Sequence, residues 1–322
     1  MKQYIIRRLL ISVVILLGVS IIIYILVRCM PGDYVQSLTA NNPAVTPDMV
    51  ANLNHLYGLD TNIAEGYLKW LGSTLTGNLG TSFVYQIPVT EVIGKKMWVS
   101  FSLSLISFIL ELLIAIPLGI ISATKQYSKL DYTVTSLALV GISLPSFFFA
   151  ALLQRVLAIE LKWFPLSGMV NARADYEGFM RIADMGYHFV LPVMVLTVIS
   201  LGGLMRYSRT NMLEVLNSDY IRTARAKGLS ENTVIYKHAF RNTLIPIVTM
   251  IGGSLPGLFS GAMITEGIFG IDGLGNTAFI ALQKGDIPFI MGFNMFLAIL
   301  TLLGNLISDV LYGVVDPRVR LN

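Results

Sequence analysis

The chain has 322 residues, of which 54% are hydrophobic and only 13% charged, with a mean hydropathy of +0.69. Soluble domains carry roughly a quarter charged residues, so this deficit excludes the two soluble domains that the length could hold and places most of the chain in a bilayer. A single cysteine, Cys29, excludes an internal disulfide, and His55, His188 and His238 lie too far apart for a zinc or iron–sulfur spacing.

The first residues carry Lys2, Arg7 and Arg8 and lead into an apolar run from Leu9 to Val27. The run is long enough to span, no small-x-small cleavage site follows, and Arg28 sits where a lipoprotein signal ending at Cys29 needs a small residue. It reads as an uncleaved first span. Residues 29–98 are punctuated by proline and glycine. Thr46 with Pro47 opens a helix of about eleven residues that Gly58 ends, and a second amphipathic piece, Ile63 to Leu75, presents Tyr67, Leu68 and Trp70. Those aromatics need a surface to pack on, so the region reads as a small external helical subdomain.

Five further apolar segments follow, at 99–121, 133–156, 188–206, 244–263 and 289–313, each close to the ~20 residues that cross a hydrocarbon core. The result is an all-α integral membrane protein with six transmembrane helices and both ends on one side. Lys and Arg number 14 in the segments on that side and 7 on the other, with Arg28 and Arg155 at span ends. By the positive-inside rule both termini and the 207–243 loop are cytoplasmic, and Arg28 and Arg155 snorkel to the outer interface. The expected divisions are 1–28, the extracytoplasmic subdomain 29–98, the core 99–313 and a tail at 314–322.

The 207–243 loop is the most basic in the chain. Asn217 or Ser218 can cap a helix through Lys227, Gly228 suits the left-handed position that ends it, and Ser230 can cap a second helix through about Phe240, before Pro246 begins a new apolar run. Its six basic residues, with Arg206 just before it, could simply set topology and touch anionic lipid. Charge bias, however, requires neither the alanines nor the glycine of R-T-A-R-A-K-G at 222–228, whereas a helix pressed against a partner requires both.

This loop resembles the coupling loop of ABC importer permeases, with Arg222, Thr223 and Ala224 at the E-A-A positions, the glycine at Gly228 and the ending at Thr243, Leu244, Ile245 and Pro246. The glutamate of the motif is absent, and Y-I-R-T-A-R-A-K-G-L is similar to the variant of the oligopeptide/dipeptide/nickel permease family. R-C-M-P-G-D at 28–33, Y-G-L-D at 57–60, G-N-L-G-T-S at 77–82, I-S-L-P-S-F at 142–147, E-G-I-F-G-I-D-G-L-G at 266–275 and D-P-R at 316–318 extend the resemblance over nearly the whole chain. Asn78 stands where the family usually has Asp, and Asp272 where Pro usually precedes G-L-G.

The resemblance implies the type I ABC importer permease fold in a bacterial inner or plasma membrane. It also implies a homologous second permease as partner, two ATP-binding subunits that hold ATP and magnesium, and a separate external substrate-binding protein. Asp219, Tyr220, Arg222, Ala224, Arg225, Lys227, Gly228 and Leu229 become the ATPase-coupling residues. Ala224 would allow close approach, Arg222, Arg225 and Lys227 would pair with acidic groups of the ATPase, and Leu229 would plug its groove. The substrate would be a dipeptide or oligopeptide, or alternatively a nickel or metallophore complex.

Within the spans, Glu111 lies near the middle of the second, either facing a cavity or a partner or hydrogen-bonded inside the bundle. Gly253, Gly257 and Gly261 repeat every four residues with Pro256 among them, a pattern for helix packing that the resemblance also places along the translocation route. The glycine-rich loop from Thr265 to Gly285, which holds Glu266, lacks the G-x-x-x-x-G-K-[ST] pattern and reads as a re-entrant or gate-forming segment. No Walker A loop, H-E-x-x-H, G-x-S-x-G or dinucleotide fingerprint occurs, so the chain carries no catalytic, metal or cofactor site of its own and has no nucleic-acid role. An ion-driven secondary transporter is the rival reading, resting on Glu111 and the broken fifth span, against which stand the lack of an evident inverted repeat and the long docking loop.

Overall fold

The computed structural model describes residues 2–30, 34–39, 46–56 and 60–315; the expected features at 31–33, Pro43, 57–59 (with Gly58) and 316–322 lie outside them. Helix α1 (Lys2–Arg28) exposes Leu10 and Val14, a surface suited to lipid, but buries Ser20, Tyr24 and Val27 towards its C-terminal end. Short helices α2 (Tyr34–Thr39) and α3 (Pro47–Leu56) follow, and then α4 (Ile63–Leu75), which starts where Asn62 accepts from the Ala64 amide at 3.0 Å. The α4 aromatics dock on α1: Tyr24 lies 5.6 Å from the Tyr67 ring and 5.8 Å from Trp70, and the Ser20 and Tyr67 hydroxyls are 2.9 Å apart.

The bundle is built on α5 (Val89–Thr124) and α8 (Gly178–Leu216), which run parallel. A Cβ on Gly119 would come within 2.7 Å of the Met205 carbonyl, so the two backbones touch there, and Thr197 donates to the Ser107 carbonyl at 3.3 Å further up. Between them in sequence, α6 (Lys129–Ser143) and α7 (Ser146–Leu153), the latter continued by a π-helical stretch Gln154–Glu160, are bent by 100° at their junction. The expected single span 133–156 is therefore broken. Pro145 forces Leu144 into an extended conformation (φ −75°, ψ 124°), which ends α6 before the proline. Counting this bent pair as one crossing, six segments among the described residues are long and apolar enough to span a membrane.

Helix α8 continues to Leu216, ten residues beyond the expected span end, so Arg206 and Arg209 are helical and the connecting segment begins at Asn217. Helix α9 (Asp219–Ala226) follows. Helix α10 (Glu231–Thr233) passes through a π-helical turn, Val234–Ala239, directly into α11 (Phe240–Gly253). The second helix of the loop is thus not a separate piece ending near Phe240, and Pro246 lies inside a helix instead of opening one.

The expected span 244–263 is also interrupted: Ser254 separates α11 from α12 (Leu255–Ser260), whose second residue is Pro256, and Gly261 at φ +74° ends it. Helices α13 (Met263–Phe269) and α14 (Leu274–Lys284) form a compact hairpin, and α15 (Ile287–Val315) returns along α11. There Ser308 donates to the Thr249 carbonyl at 2.7 Å, and Arg8 pairs with Asp309 at 3.1 Å, so the N-terminal part of α1 and the C-terminal part of α15 lie at the same end of the bundle as α9. One apolar core gathers Val92, Leu274, Phe289 and Phe293 at the far end; another gathers Ile120, Met212, Ile221 and Val234 beside α9.

Candidate functional site

Helix α9 is short, and a helix of eight residues is marginal alone, so its position depends on packing. Two residues supply it. Ile221 and Ala224 are buried among Ile120 and Ala123 of α5, Met212 of α8, and Val234 and Ala239. Ser218 accepts from the Ile221 and Arg222 amides through its carbonyl, and its hydroxyl donates to the Val215 carbonyl in place of the expected side-chain cap. Gly228 then has φ +77°, a conformation that a side chain strains, with open space around its Cα.

The residues expected to couple divide between two faces. Asp219, Tyr220, Arg222, Lys227, Gly228 and Leu229 are exposed, and with Tyr236 they give a surface that mixes charge with three large apolar groups. Ala224 points the other way, into the bundle: its small side chain allows α9 to approach α5 and α8, not a partner. Arg225 is committed within the segment, donating to Glu231 at 2.7 and 3.2 Å, and that carboxylate holds its guanidinium above the ordinary Arg range. Arg222 makes a loose i,i+3 contact with Asp219 at 3.6 Å.

A cavity of about 600 Å³ opens between α5, α8 and the α11–α12 region. Each helix contributes one face at helical spacing: Ser104, Ser107 and Glu111; Leu196, Ser200, Gly203 and Tyr207; Met250, Ser254, Gly257 and Gly261. Glu111 lines it, and no described residue hydrogen-bonds or pairs with the carboxylate. Gly257 borders the cavity, and a Cβ at Gly253 or Gly257 would meet nothing. Their expected role in close packing falls instead to Gly252, where a Cβ would lie 2.8 Å from the Ser308 Cα, and to Gly304, 3.1 Å from Pro256.

Glu266 does not itself line the cavity, although it bonds to Ala262, which does. It is fully buried and accepts from the Ser100 hydroxyl at 2.7 Å, the Asn276 amide at 2.9 Å and the Ala262 amide at 3.1 Å. Ser100 also accepts from the Leu274 amide at 2.7 Å. The carboxylate therefore clasps the α13–α14 hairpin to α5, and Gly273 and Gly275 leave room for it: a Cβ on either would fall within 3.0 Å of its oxygens. Asn78 forms its turn by accepting from the Gly80 amide at 2.9 Å, and Asp272 pairs with Lys96.

Two polar clusters escaped the sequence reading. Buried Asp131 receives two hydrogen bonds of 2.9 Å from Arg209 and one from Ser122. The S-K-L-D pattern at 128–131, a capping-box signature confirmed by the Asp131 amide donating to Ser128 at 3.2 Å, was the available signal for where α6 begins. Buried Asp286 collects the Ser82 hydroxyl and the Phe83 and Val84 amides at 3.0 and 3.1 Å, tying the segment before α5 to the start of α15.

Membrane-crossing helices arranged round an open, mostly apolar cavity that holds a carboxylate, with an exposed charged helix anchored at one end, define a membrane transport subunit. Residues 115–321 match the model of the binding-protein-dependent transport system inner membrane component, and residues 1–104 match that of its N-terminal part. The chain belongs to that family. It is 41% identical over 99% of its length to the whole oligopeptide transport system permease protein AppB of Bacillus subtilis. The dipeptide transport system permease protein DppB of Escherichia coli K12 is 36% identical, with 99% of each chain covered. Among solved structures, an inward-facing form of the MetNI methionine ABC transporter superposes with a TM-score of 0.54 at 17% identity, covering 70% of this chain and 97% of that one. The fold is that of a type I ABC importer permease.

Proposed function

We propose that this chain is the permease subunit of an ATP-driven importer for peptides, dipeptides or oligopeptides, in a bacterial plasma membrane. It forms half of the translocation pathway, and a homologous second permease forms the other half around the cavity that Glu111 lines. Two cytoplasmic ATP-binding subunits carry ATP and magnesium and hydrolyse the nucleotide, and an extracytoplasmic binding protein delivers cargo. Both termini and α9 face the cytoplasm, in keeping with the excess of Lys and Arg at that end.

The observation that carries the coupling role is the division of α9 into an anchored and an open face. Because Ile221 and Ala224 lock it to α5 and α8, a push on its exposed surface moves those helices, which are the cavity walls. Arg222, Lys227 and Leu229 remain available to the ATPase. The test is to purify the tagged chain in mild detergent, identify its companions by mass spectrometry and measure peptide uptake by the reconstituted complex. A second permease, an ATPase and ATP-dependent uptake are expected. A chain that copurifies with no ATPase and transports only down an ion gradient would refute the reading.

A further inference from the structure

Resting on the peptide-importer reading, we infer that Glu111 makes the pathway a charge filter that favours cargo presenting an ammonium group and disfavours cargo with surplus carboxylate. Among the described residues that line the cavity, Glu111 carries the one carboxylate, and no described residue gives it a cation or a hydrogen-bond donor. A carboxylate placed in a membrane interior without a partner is costly, so it is expected to gain one from what occupies the cavity.

The remaining polar lining is four serines and Tyr207, and the serines whose hydroxyls bond back within their own helix offer acceptors to an occupant. Ser200 donates its hydroxyl hydrogen to the Leu196 carbonyl at 2.7 Å and Ser254 to the Met250 carbonyl at 3.0 Å, one helical turn back. Spent as donors, both oxygens offer lone pairs to the cavity. An ammonium brings three N–H donors and a positive charge, matching one carboxylate and two hydroxyl acceptors; a carboxylate brings acceptors only and meets like charge.

The cavity also has a direction. Gly203 and Tyr207 border both the main cavity and a smaller one lined by Arg206 and Thr210. The contacts of Ser107 with Thr197 and Ile116 with Ser208 put Glu111 level with about residue 201 of α8. Arg206 then lies on the order of 8 Å nearer the α9 end at 1.5 Å per residue. Acid deep and base at the mouth suit the opposite ends of a short peptide, whose extended backbone covers about 3.5 Å per residue.

The experiment is competition between two tripeptides, Ala-Lys-Ala and Ala-Glu-Ala, for uptake by the complete reconstituted transporter, with wild type, Glu111→Gln and Glu111→Asp sharing one binding protein. The ratio of initial rates, cationic over anionic, should fall at least threefold in Glu111→Gln and stay within twofold of wild type in Glu111→Asp. An unchanged ratio in Glu111→Gln overturns the filter while leaving the importer standing. Loss of the second permease from purified Glu111→Gln also overturns it, since the carboxylate would then pair with the partner subunit. If wild type takes up neither peptide with ATP, the importer reading falls and the filter with it.

Discussion

Arg209, on α8, donates to both carboxylate oxygens of Asp131, at the start of α6, each at 2.9 Å. Asp131 is buried and Arg209 keeps only 24% of its side chain exposed, so the pair fixes the first half of the bent crossing to the helix that lines the cavity. Removing one partner leaves the other charge with little water to solvate it, a loss of about 3 kcal/mol. Asp131→Asn and Arg209→Gln are each expected to lower the detergent-solubilised melting temperature clearly. The double change Asp131→Asn with Arg209→Gln should cost less than the two single changes added together. Strictly additive losses would mean that the two side chains act independently.

Glu266 offers a second measurable contrast. Three donors converge on its carboxylate, and Glu266→Ala strands them in a buried site, at about 1–3 kcal/mol for an unmet group. Ser100→Ala removes one bond to Glu266 and one from the Leu274 amide and should cost less. Limited proteolysis between α12 and α14 reads the effect directly: Glu266→Ala is cut faster, Ser100→Ala only slightly so. Equal resistance of Glu266→Ala and wild type would mean that the hairpin is held by apolar packing alone.

Gly228 tests the turn after α9. Its φ of +77° is forbidden to proline and strained for alanine by roughly 1 kcal/mol, but nothing lies within 4 Å of a Cβ there. Gly228→Ala should therefore import at near wild-type rate. Gly228→Pro should still insert in the membrane, yet hydrolyse ATP without uptake in the assembled transporter. Normal uptake by Gly228→Pro would remove this turn from the coupling route.

Local signals were the legible ones. The amphipathic period defines α4, observed at the same Ile63–Leu75 bounds, because a repeat acts over a few residues. Long apolar runs gave the crossings for the same reason. Bends inside such runs were hidden, since Pro145 and Pro256 are compatible with either a kinked helix or a break, and packing decides between them. Asp131 and Arg209 are 78 positions apart, and nothing in either neighbourhood names the other. The inward turn of Ala224 was equally hidden: the sequence shows that a small residue permits close approach but not which surface approaches. Glu111 was legible as an anomaly of depth, whereas Glu266, in a polar loop, gave no sign that it is fully buried.

The two faces of α9 make the last prediction the most discriminating. Ala224 is enclosed by Ile120, Ala123 and Met212, so Ala224→Leu adds three carbons to a filled space and should destabilise by about 1–3 kcal/mol, lowering the melting temperature even in the isolated subunit. Arg222 and Lys227 face solvent, so Arg222→Glu with Lys227→Glu should leave that temperature within the small range typical of surface changes, while weakening copurification of the ATPase and abolishing uptake. Arg225→Gln provides the control. Its partner Glu231 lies within the same exposed segment, so breaking the pair costs at most about 1 kcal/mol and should reduce ATPase binding less than reversing Arg222 and Lys227 does. Should Ala224→Leu fold normally yet lose the ATPase, the anchored and open faces would have to be exchanged.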